Sequence, residues 1–456
     1  MNETGPQSSF QTRMEAEVGD TLDRLQTFRA RIWAPVLLGL IMMFDSWDSI
    51  AIAYVMPSLS KEWGLGPATV GSLISSGYIG QFIGAIALGA LAERVGRMPV
   101  FVSAVAVMGA LAFGCALTPD YRLLFAIRFI QGLAIGGALP VSITYVNELA
   151  PTESRGRYFA MFQWLCMSGY AAASISSTFI IPKLGWRWLF GFGAIPLILL
   201  PLVLITLPES PRWLARRGRT EAVRRALMKL GGTMISTGVP LEADVQAADQ
   251  VQPVPVTALF SPAYRSRTIV ILLLWFLTSF ATFGLTTWIP SIYVTVFHIP
   301  VADALRYAAM PATLFLVATI GIAAFIDTVG RRPFAIFGTG VAAVALAILT
   351  FYHPAQRWLL VTLIVTGQLC ISMSSLIVWP YTAENYPTNV RAVALGVCSS
   401  LARAASMLTP LFVGVILNVG APISVVFAVF AVFALAAMIL WSVATTETAR
   451  VRLESL

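Results

Sequence analysis

Charge is what this chain has least of. Only 11% of its 456 residues are Asp, Glu, Lys or Arg, against roughly 25% in soluble domains, while 57% are apolar. A water-soluble fold of this length must clothe itself in polar groups, so a soluble enzyme, a nucleic-acid binder and a disordered scaffold are all poor readings. Histidine is almost absent: His298 and His353 are the only two, and neither lies deep in an apolar run. With no cluster at ligand spacing, no metal, no cofactor and no enzymatic activity are expected. The phosphate-cradling Gly-x-x-x-x-Gly-Lys-Ser/Thr is missing, which removes a nucleotide-driven pump. The four cysteines, Cys115, Cys166, Cys370 and Cys398, all fall inside apolar runs and read as buried thiols acting as small hydrophobes. No apolar core precedes Trp33; residues 1–31 instead carry Glu15, Glu17, Asp20, Asp23, Arg24, Arg29 and Arg31. That is a cytoplasmic tail, ending in a short amphipathic helix, rather than a cleavable leader.

What the chain has in abundance is apolar runs of the roughly 20 residues that a membrane helix needs. Twelve can be marked off, from Trp33–Leu59 through to Ile423–Ala444; the ten-residue alternation of a membrane barrel is absent. The expected fold is an all-α membrane protein of twelve transmembrane helices. Its layout is a tail (1–31), six helices (32–207), a polar loop (208–267), six more helices (268–446) and a second tail (447–456). The loop holds a basic helical stretch, Arg216 to Lys229, then the Pro-rich linker Val251–Val256. With both termini in the cytoplasm, 22 of the 30 Lys and Arg fall inside and six outside. The remaining two, Arg128 and Arg403, lie within spans. Basic residues collect on the cytoplasmic side of membrane proteins, so the net charge of +8 reports topology rather than a nucleic-acid partner. A monomer in the bacterial inner membrane is expected.

The two halves repeat each other. Glu93-Arg94-Val95-Gly96-Arg97 follows span two, and Asp327-Thr328-Val329-Gly330-Arg331 follows span eight, 234 positions later. Glu148, Pro151, Thr152 and Arg155 recur as Glu384, Pro387, Thr388 and Arg391 at an offset of 236. Pro57-Ser58 recurs as Pro290-Ser291 at 233. Paired repeats of this kind build transporters with a site at the midplane between them. Each motif sets a carboxylate and an Arg at a cytoplasmic helix end. One expectation is an inner gate of ion pairs, Glu93/Arg97, Glu148/Arg155 and Asp327/Arg331, that break when the face opens; the alternative is a set of topology anchors and helix caps.

A charge at the middle of a span costs about 2.5–3.5 kcal/mol on insertion scales and is a functional hypothesis by default. Asp45 lies about 18 Å into span one at 1.5 Å per residue, and Asp48, three residues on, shares its face. Two carboxylates in low dielectric resist joint ionisation, so the pair is expected to carry a proton across; the alternative is a pair satisfied by Ser46 or Arg128. Arg403, midway along span eleven, can grip a carboxylate with its planar fork. It either binds an anionic substrate or neutralises Asp45 or Asp48. Arg128 either snorkels outward or works with Gln131 a turn deeper. The pairs Gly80/Gly84 in span two and Gly132/Gly136 in span four read as close-packing surfaces.

Gly89-Ala-Leu-Ala-Glu93-Arg94-Val-Gly96-Arg97 resembles the loop 2–3 signature of the major facilitator superfamily. Pro208-Glu209-Ser210-Pro211-Arg212, and Glu148 with Arg155-Gly156, resemble the cytoplasmic motifs of its sugar-porter-like members. The resemblance runs from Ile32 to Glu447 and implies that Glu209, Arg212, Glu384 and Arg391 belong to the inner gate as well. Phe44-Asp45-Ser-Trp-Asp48 resembles the Asp-x-x-Asp of aromatic-acid:proton symporters and of nicotinate transporters. Tyr381 to Arg391, then Arg403 and Pro410, are similar to spans ten and eleven of the nicotinate group. The Gln-Gln pair of true sugar porters has no counterpart in Leu277–Gly284. In this family the cavity is lined by spans five, seven and ten, which makes Trp164, Tyr170, Trp288, Trp379 and Tyr381 candidate substrate contacts. The resemblance implies proton-coupled uptake of a small aromatic or pyridine monocarboxylate, nicotinate first, with hydroxybenzoate-type acids next and a sugar or organic cation as a remoter alternative. Protons, the substrate and the bilayer are then its partners.

Overall fold

The computed structural model describes residues 14, 17–24, 32–151, 154–231, 255–352, 354 and 356–448. Among these, twelve stretches are helical, long and apolar enough to cross a membrane. The first six spans are α1 (Ala34–Trp63), α2 (Pro67–Val95), α3 (Arg97–Leu117), α4 (Tyr121–Leu149), α5 (Arg155–Leu184) and a broken sixth made of α6 (Trp186–Phe192) and α7 (Pro196–Thr206). Two short helices follow, α8 (Pro211–Arg216) and α9 (Thr220–Lys229), and then the second six: α10 (Arg265–Thr295), α11 (Val301–Val329), α12 (Arg331–Phe351), α13 (Arg357–Glu384), α14 (Thr388–Asn418) and α15 (Ile423–Val443). An uninterrupted helix satisfies every backbone donor inside its own ladder, which lipid demands. Span six is the exception. Pro196 has no N–H to continue the ladder, and the chain passes it on tight turns such as Gly193 N–H to Phe190 O at 2.8 Å and Ile195 N–H to Phe192 O at 3.1 Å. The break lies against Asp48, since a Cβ at Gly193 would stand 3.4 Å from Oδ1.

Small residues set the closest approaches. A Cβ on Gly80 or Gly84 of α2 would fall on the backbone of Phe129 or Leu133 in α4, and one on Gly132 or Gly136 would fall on Gly77 or Gln81 in return. These two helices therefore touch backbone to backbone, as the glycine spacing predicts. The residue-17 to residue-24 segment is helical, and Val18 and Leu22, one turn apart, are buried in the same apolar cluster as Trp213, Leu214 and Leu227. The amphipathic tail helix is thus docked on the first half. All four cysteines are free thiols.

The loops after α2, α4, α7, α11 and α13 share one end of the bundle, here the motif end; the opposite is the far end. The halves meet through α2 on α14, α5 on α11 and α1 on α10, and their closest contacts lie toward the far end. Ser75 Oγ donates to Met407 O at 2.8 Å, Tyr54 Oη donates to Ala308 O at 2.9 Å, and a Cβ on Gly71 would strike the Pro410 carbonyl. At mid-depth Tyr78 meets Phe283 edge-on, centroids 5.8 Å apart. At the motif end the ion pairs that hold Arg97, Glu148 and Arg331 lie within one half or the other. The structure is closed at the far end.

The backbone contact at Gly84 sets a clear expectation. Gly84→Ala forces α2 off α4, an overpacking that costs about 1–3 kcal/mol or more, whereas a Cβ at Gly89 meets nothing within 4 Å and Gly89→Ala is neutral. Folded yield after graded heating, read by size-exclusion chromatography in detergent, should fall for the first variant alone.

Candidate functional site

Asp45 and Asp48 are one helical turn apart on α1, yet they face different chemistry. Asp48, fully buried, takes the Arg128 guanidinium: Nη1 lies 2.6 Å from Oδ2. Arg128 Nη2 also donates to the Asp48 carbonyl at 3.1 Å, and Nη1 to Gln131 Oε1 at 2.9 Å. Gln131 is held in turn by its Nε2 donating to Met108 O at 3.2 Å. The guanidinium stands 5.7 Å from the centre of the Phe190 ring. Gly77 leaves room for it, since a Cβ there would come within 3.4 Å of Nη2. Arg128 therefore turns inward and works with Gln131. A carboxylate and a guanidinium withdrawn from water are tolerable only when paired and hydrogen-bonded, and these two are joined directly, although Asp48 Oδ1 and Arg128 Nε have no partner among the described residues.

Asp45 is treated differently. It too is buried, but its carboxylate has no ion pair within 4 Å and no side-chain hydrogen bond among the described residues. The adjoining residues of α1 pack on α5: Cys166 Sγ is 3.5 Å from Ser46 Oγ, and Gly169 packs its bare Cα side on the Met43 carbonyl. An opposing charge comes from the other half of the molecule. Arg403 on α14 attracts Asp45 electrostatically but forms no ion pair within 4 Å and no side-chain hydrogen bond among the described residues. Tyr170 of α5 is half-buried and close enough to interact with both. A carboxylate, a cation and a phenol thus converge at mid-depth from α1, α14 and α5.

The other candidate aromatics fall elsewhere. Trp288 is buried, with its indole N–H donated to Pro410 O at 3.2 Å, so it ties α10 to α14. Tyr381 is buried toward the motif end against Trp441, centroids 4.7 Å apart. Trp379 is 47% exposed and edge-on to Trp275 at 4.6 Å, and Trp164 is 45% exposed.

At the motif end the repeats build matching networks. In the first half Arg97 reaches Glu93 at 2.8 Å, Glu148 at 3.1 Å and the Ala92 carbonyl at 3.0 Å. Glu209 accepts the backbone N–H groups of Arg97 at 3.0 Å, Met98 at 3.2 Å and Ser210 at 2.8 Å, capping α3 where four helix donors are otherwise orphaned. Burial holds the Glu209 carboxyl above the usual carboxylate range, against the pull of those donors. In the second half Arg331 reaches Glu384 at 2.8 Å and the Ile326 carbonyl at 3.2 Å. Glu447 there accepts from Arg331 N at 2.9 Å, Arg332 N at 3.0 Å and Thr448 N at 3.0 Å. Gly96 and Gly330 have positive φ, 122° and 96°, and a Cβ on either would run into the capping carboxylate. The contacts named here lie within one half or the other.

Of the expected pairs, Glu93/Arg97 is present at 2.8 Å, while Glu148/Arg155 and Asp327/Arg331 each include a side chain outside the described residues. Glu148 is held by Arg97 and by Arg216, the latter at 2.9 Å, while Arg391 Nε donates to Tyr386 O at 3.3 Å. Arg212 is half-buried and Gly89 borders open space. The side chains of Arg155 and Asp327 lie outside the described residues. Glu447 and Arg216 were missed. The signal for Glu447 was present, since Thr445-Thr446-Glu447-Thr448 follows Leu207-Pro208-Glu209-Ser210 by 238 positions, close to the offset of the other repeats.

The family model described as Major Facilitator Superfamily matches residues 36–403 and 308–455. The niacin transporter NiaP of Acinetobacter baylyi is 31% identical over 385 residues, 83% of this chain and 85% of that protein. The gallate transporter of Pseudomonas putida is 28% identical over 88% of this chain and 89% of its own length. A crystal structure of a D-xylose-proton symporter superposes with a TM-score of 0.71 at 21% identity, covering 92% of this chain and 99% of that one.

The unequal treatment of the two aspartates can be measured. Asp48→Asn leaves the Arg128 charge buried and uncompensated, which costs about 3–5 kcal/mol. Asp45→Asn removes a carboxylate whose Oδ1 is already unpartnered, so thermal unfolding followed by tryptophan fluorescence should be unchanged or shifted upward. Equal destabilisation of both variants would contradict the pairing.

Proposed function

The chain belongs to the Major Facilitator Superfamily, and from that premise we propose that this multi-pass transporter is a proton-coupled uptake carrier for a small aromatic or pyridine monocarboxylate, nicotinate first. The observation that carries the reading is the buried, unpaired Asp45 facing the uncommitted Arg403 of the other half. Relatives named for niacin and gallate support the substrate class, since each compound is a ring bearing one carboxylate. The excess of Lys and Arg at the motif end supports a cytoplasmic face there and both termini inside.

In this scheme the far end opens first and Asp45 takes a proton, which removes its claim on Arg403. The substrate carboxylate then pairs with Arg403 through two parallel N–H donors, and the ring lies beside Tyr170. Asp48 and Arg128 keep each other neutral and hold α1 against α4. The halves rock to the far-closed arrangement seen here, with Ser75 on Met407 and Tyr54 on Ala308. Release of substrate and proton at the motif end restores the attraction between Asp45 and Arg403. The Arg97–Glu148 and Arg331–Glu384 pairs, each within one half, keep each half rigid while it moves.

Proteoliposome uptake under an imposed pH gradient tests this. Labelled nicotinate should accumulate, 4-hydroxybenzoate less and a sugar not at all; a 4-hydroxybenzoate preference would move the substrate within the class. Asp45→Asn should lose accumulation at least tenfold yet keep nicotinate exchange between equal pools, while Arg403→Lys, without the planar fork, should lose both. Normal transport by both variants would overturn the assignment.

A further inference from the structure

The polar segment after span six is not used by this cycle, and its geometry has a direction. Residues 212–229 carry Arg212, Arg216, Arg217, Arg219, Arg224, Arg225 and Lys229 against one acid, Glu221. That acid is already engaged by Arg224 at 3.1 Å. The apolar side of α9, Val223, Ala226 and Leu227, is buried, which turns Arg225 and Met228 outward. The end of α9 is pinned at a definite depth. Lys229 Nζ donates to the last carbonyls of span six, Leu204 O at 2.9 Å and Leu207 O at 3.3 Å. Leu204 and Ile205 beside it are exposed, as residues facing lipid are. The end of α9 therefore stands at the rim where the hydrocarbon stops and headgroups begin.

Donor capacity remains there. An ammonium has three donors and a guanidinium five; Lys229 uses two, and Arg225 spends only Nε, on the Glu221 carbonyl at 3.4 Å. The rest have no partner among the described residues. We propose that Arg225 and Lys229 bind the phosphate of an anionic phospholipid headgroup, with Met228 against the upper acyl chain. The site ties the segment joining the two halves to the bilayer surface.

The test uses the full chain in detergent, titrated with phosphatidylglycerol or phosphatidylcholine while thermal unfolding is recorded. Phosphatidylglycerol should stabilise the wild type at lower concentration than phosphatidylcholine. A basic residue at a membrane surface contributes enough for each loss to raise the half-saturating lipid concentration about fivefold. The Arg225→Gln/Lys229→Gln pair should therefore raise it about 25-fold. Arg225→Gln alone leaves the Lys229–carbonyl bonds intact and should give the fivefold change even where the double variant fails to fold. Arg219→Gln, whose guanidinium stacks on Trp213 at 5.5 Å at the other end of α9, should respond like the wild type. An unchanged response in Arg225→Gln overturns the site, as does equal stabilisation by glycerol phosphate alone, which would mark a soluble-anion site.

Discussion

The proposed cycle depends on a carboxylate, Asp45, and a guanidinium, Arg403, that attract each other from the two halves without closing an ion pair. In low dielectric an uncompensated charge is costly, and the protein shows what compensation looks like one helical turn away, where Asp48 and Arg128 are locked at 2.6 Å. Asp45 is denied such a partner. A buried carboxylate with no donor on Oδ1 has two ways to become tolerable. It can take a proton, or it can approach Arg403, and the second requires the halves to move. In the proposed cycle protonation and rocking are thereby alternatives for the same group, which is how the two would be coupled.

The rest of the fold makes that motion possible and limits it. Backbone contact between α2 and α4, enforced by glycines, makes the first half rigid. The paired capping networks at Arg97/Glu209 and Arg331/Glu447 fasten the ends of α3 and α12 to the loops that follow spans six and twelve. The pairs Arg97–Glu93, Arg97–Glu148 and Arg331–Glu384 each lie within one half, so none of them has to break when the halves separate at the motif end. Surface ion pairs are individually weak, but these are buttressed by backbone N–H donors on Glu209 and Glu447, so they hold helix ends in register. The contacts that must break are the few at the far end, a hydroxyl on a carbonyl at Ser75 and another at Tyr54.

Much of this was legible in the sequence, and for stated reasons. Span length, the absence of charge and the 234-to-236-residue repeat follow from what a bilayer demands of a helix. Depth alone singled out Asp45, Asp48, Arg128 and Arg403. What periodicity does not carry is the direction of a side chain on a helix surrounded by others. Thus Asp45 and Asp48, alike in sequence, received opposite environments, and Arg128 turned inward where snorkelling was equally open. The same limit applies to the aromatics: Tyr381 was drawn into the motif-end core by Trp441, and Trp288 was consumed by a helix-to-helix hydrogen bond, while Tyr170 stayed beside the charges. Glu447 was hidden because its surroundings, Thr-Thr-Glu-Thr, share little with Pro-Glu-Ser-Pro beyond the carboxylate itself.

If Asp45 carries one proton for each monocarboxylate held by Arg403, the loaded carrier moves no net charge. The most direct measurement is initial nicotinate uptake into proteoliposomes under a membrane potential alone, with pH equal on both sides, beside a pH gradient alone at zero potential. The account predicts accumulation with the pH gradient and none with the potential. Uptake driven by the potential at equal pH would contradict it.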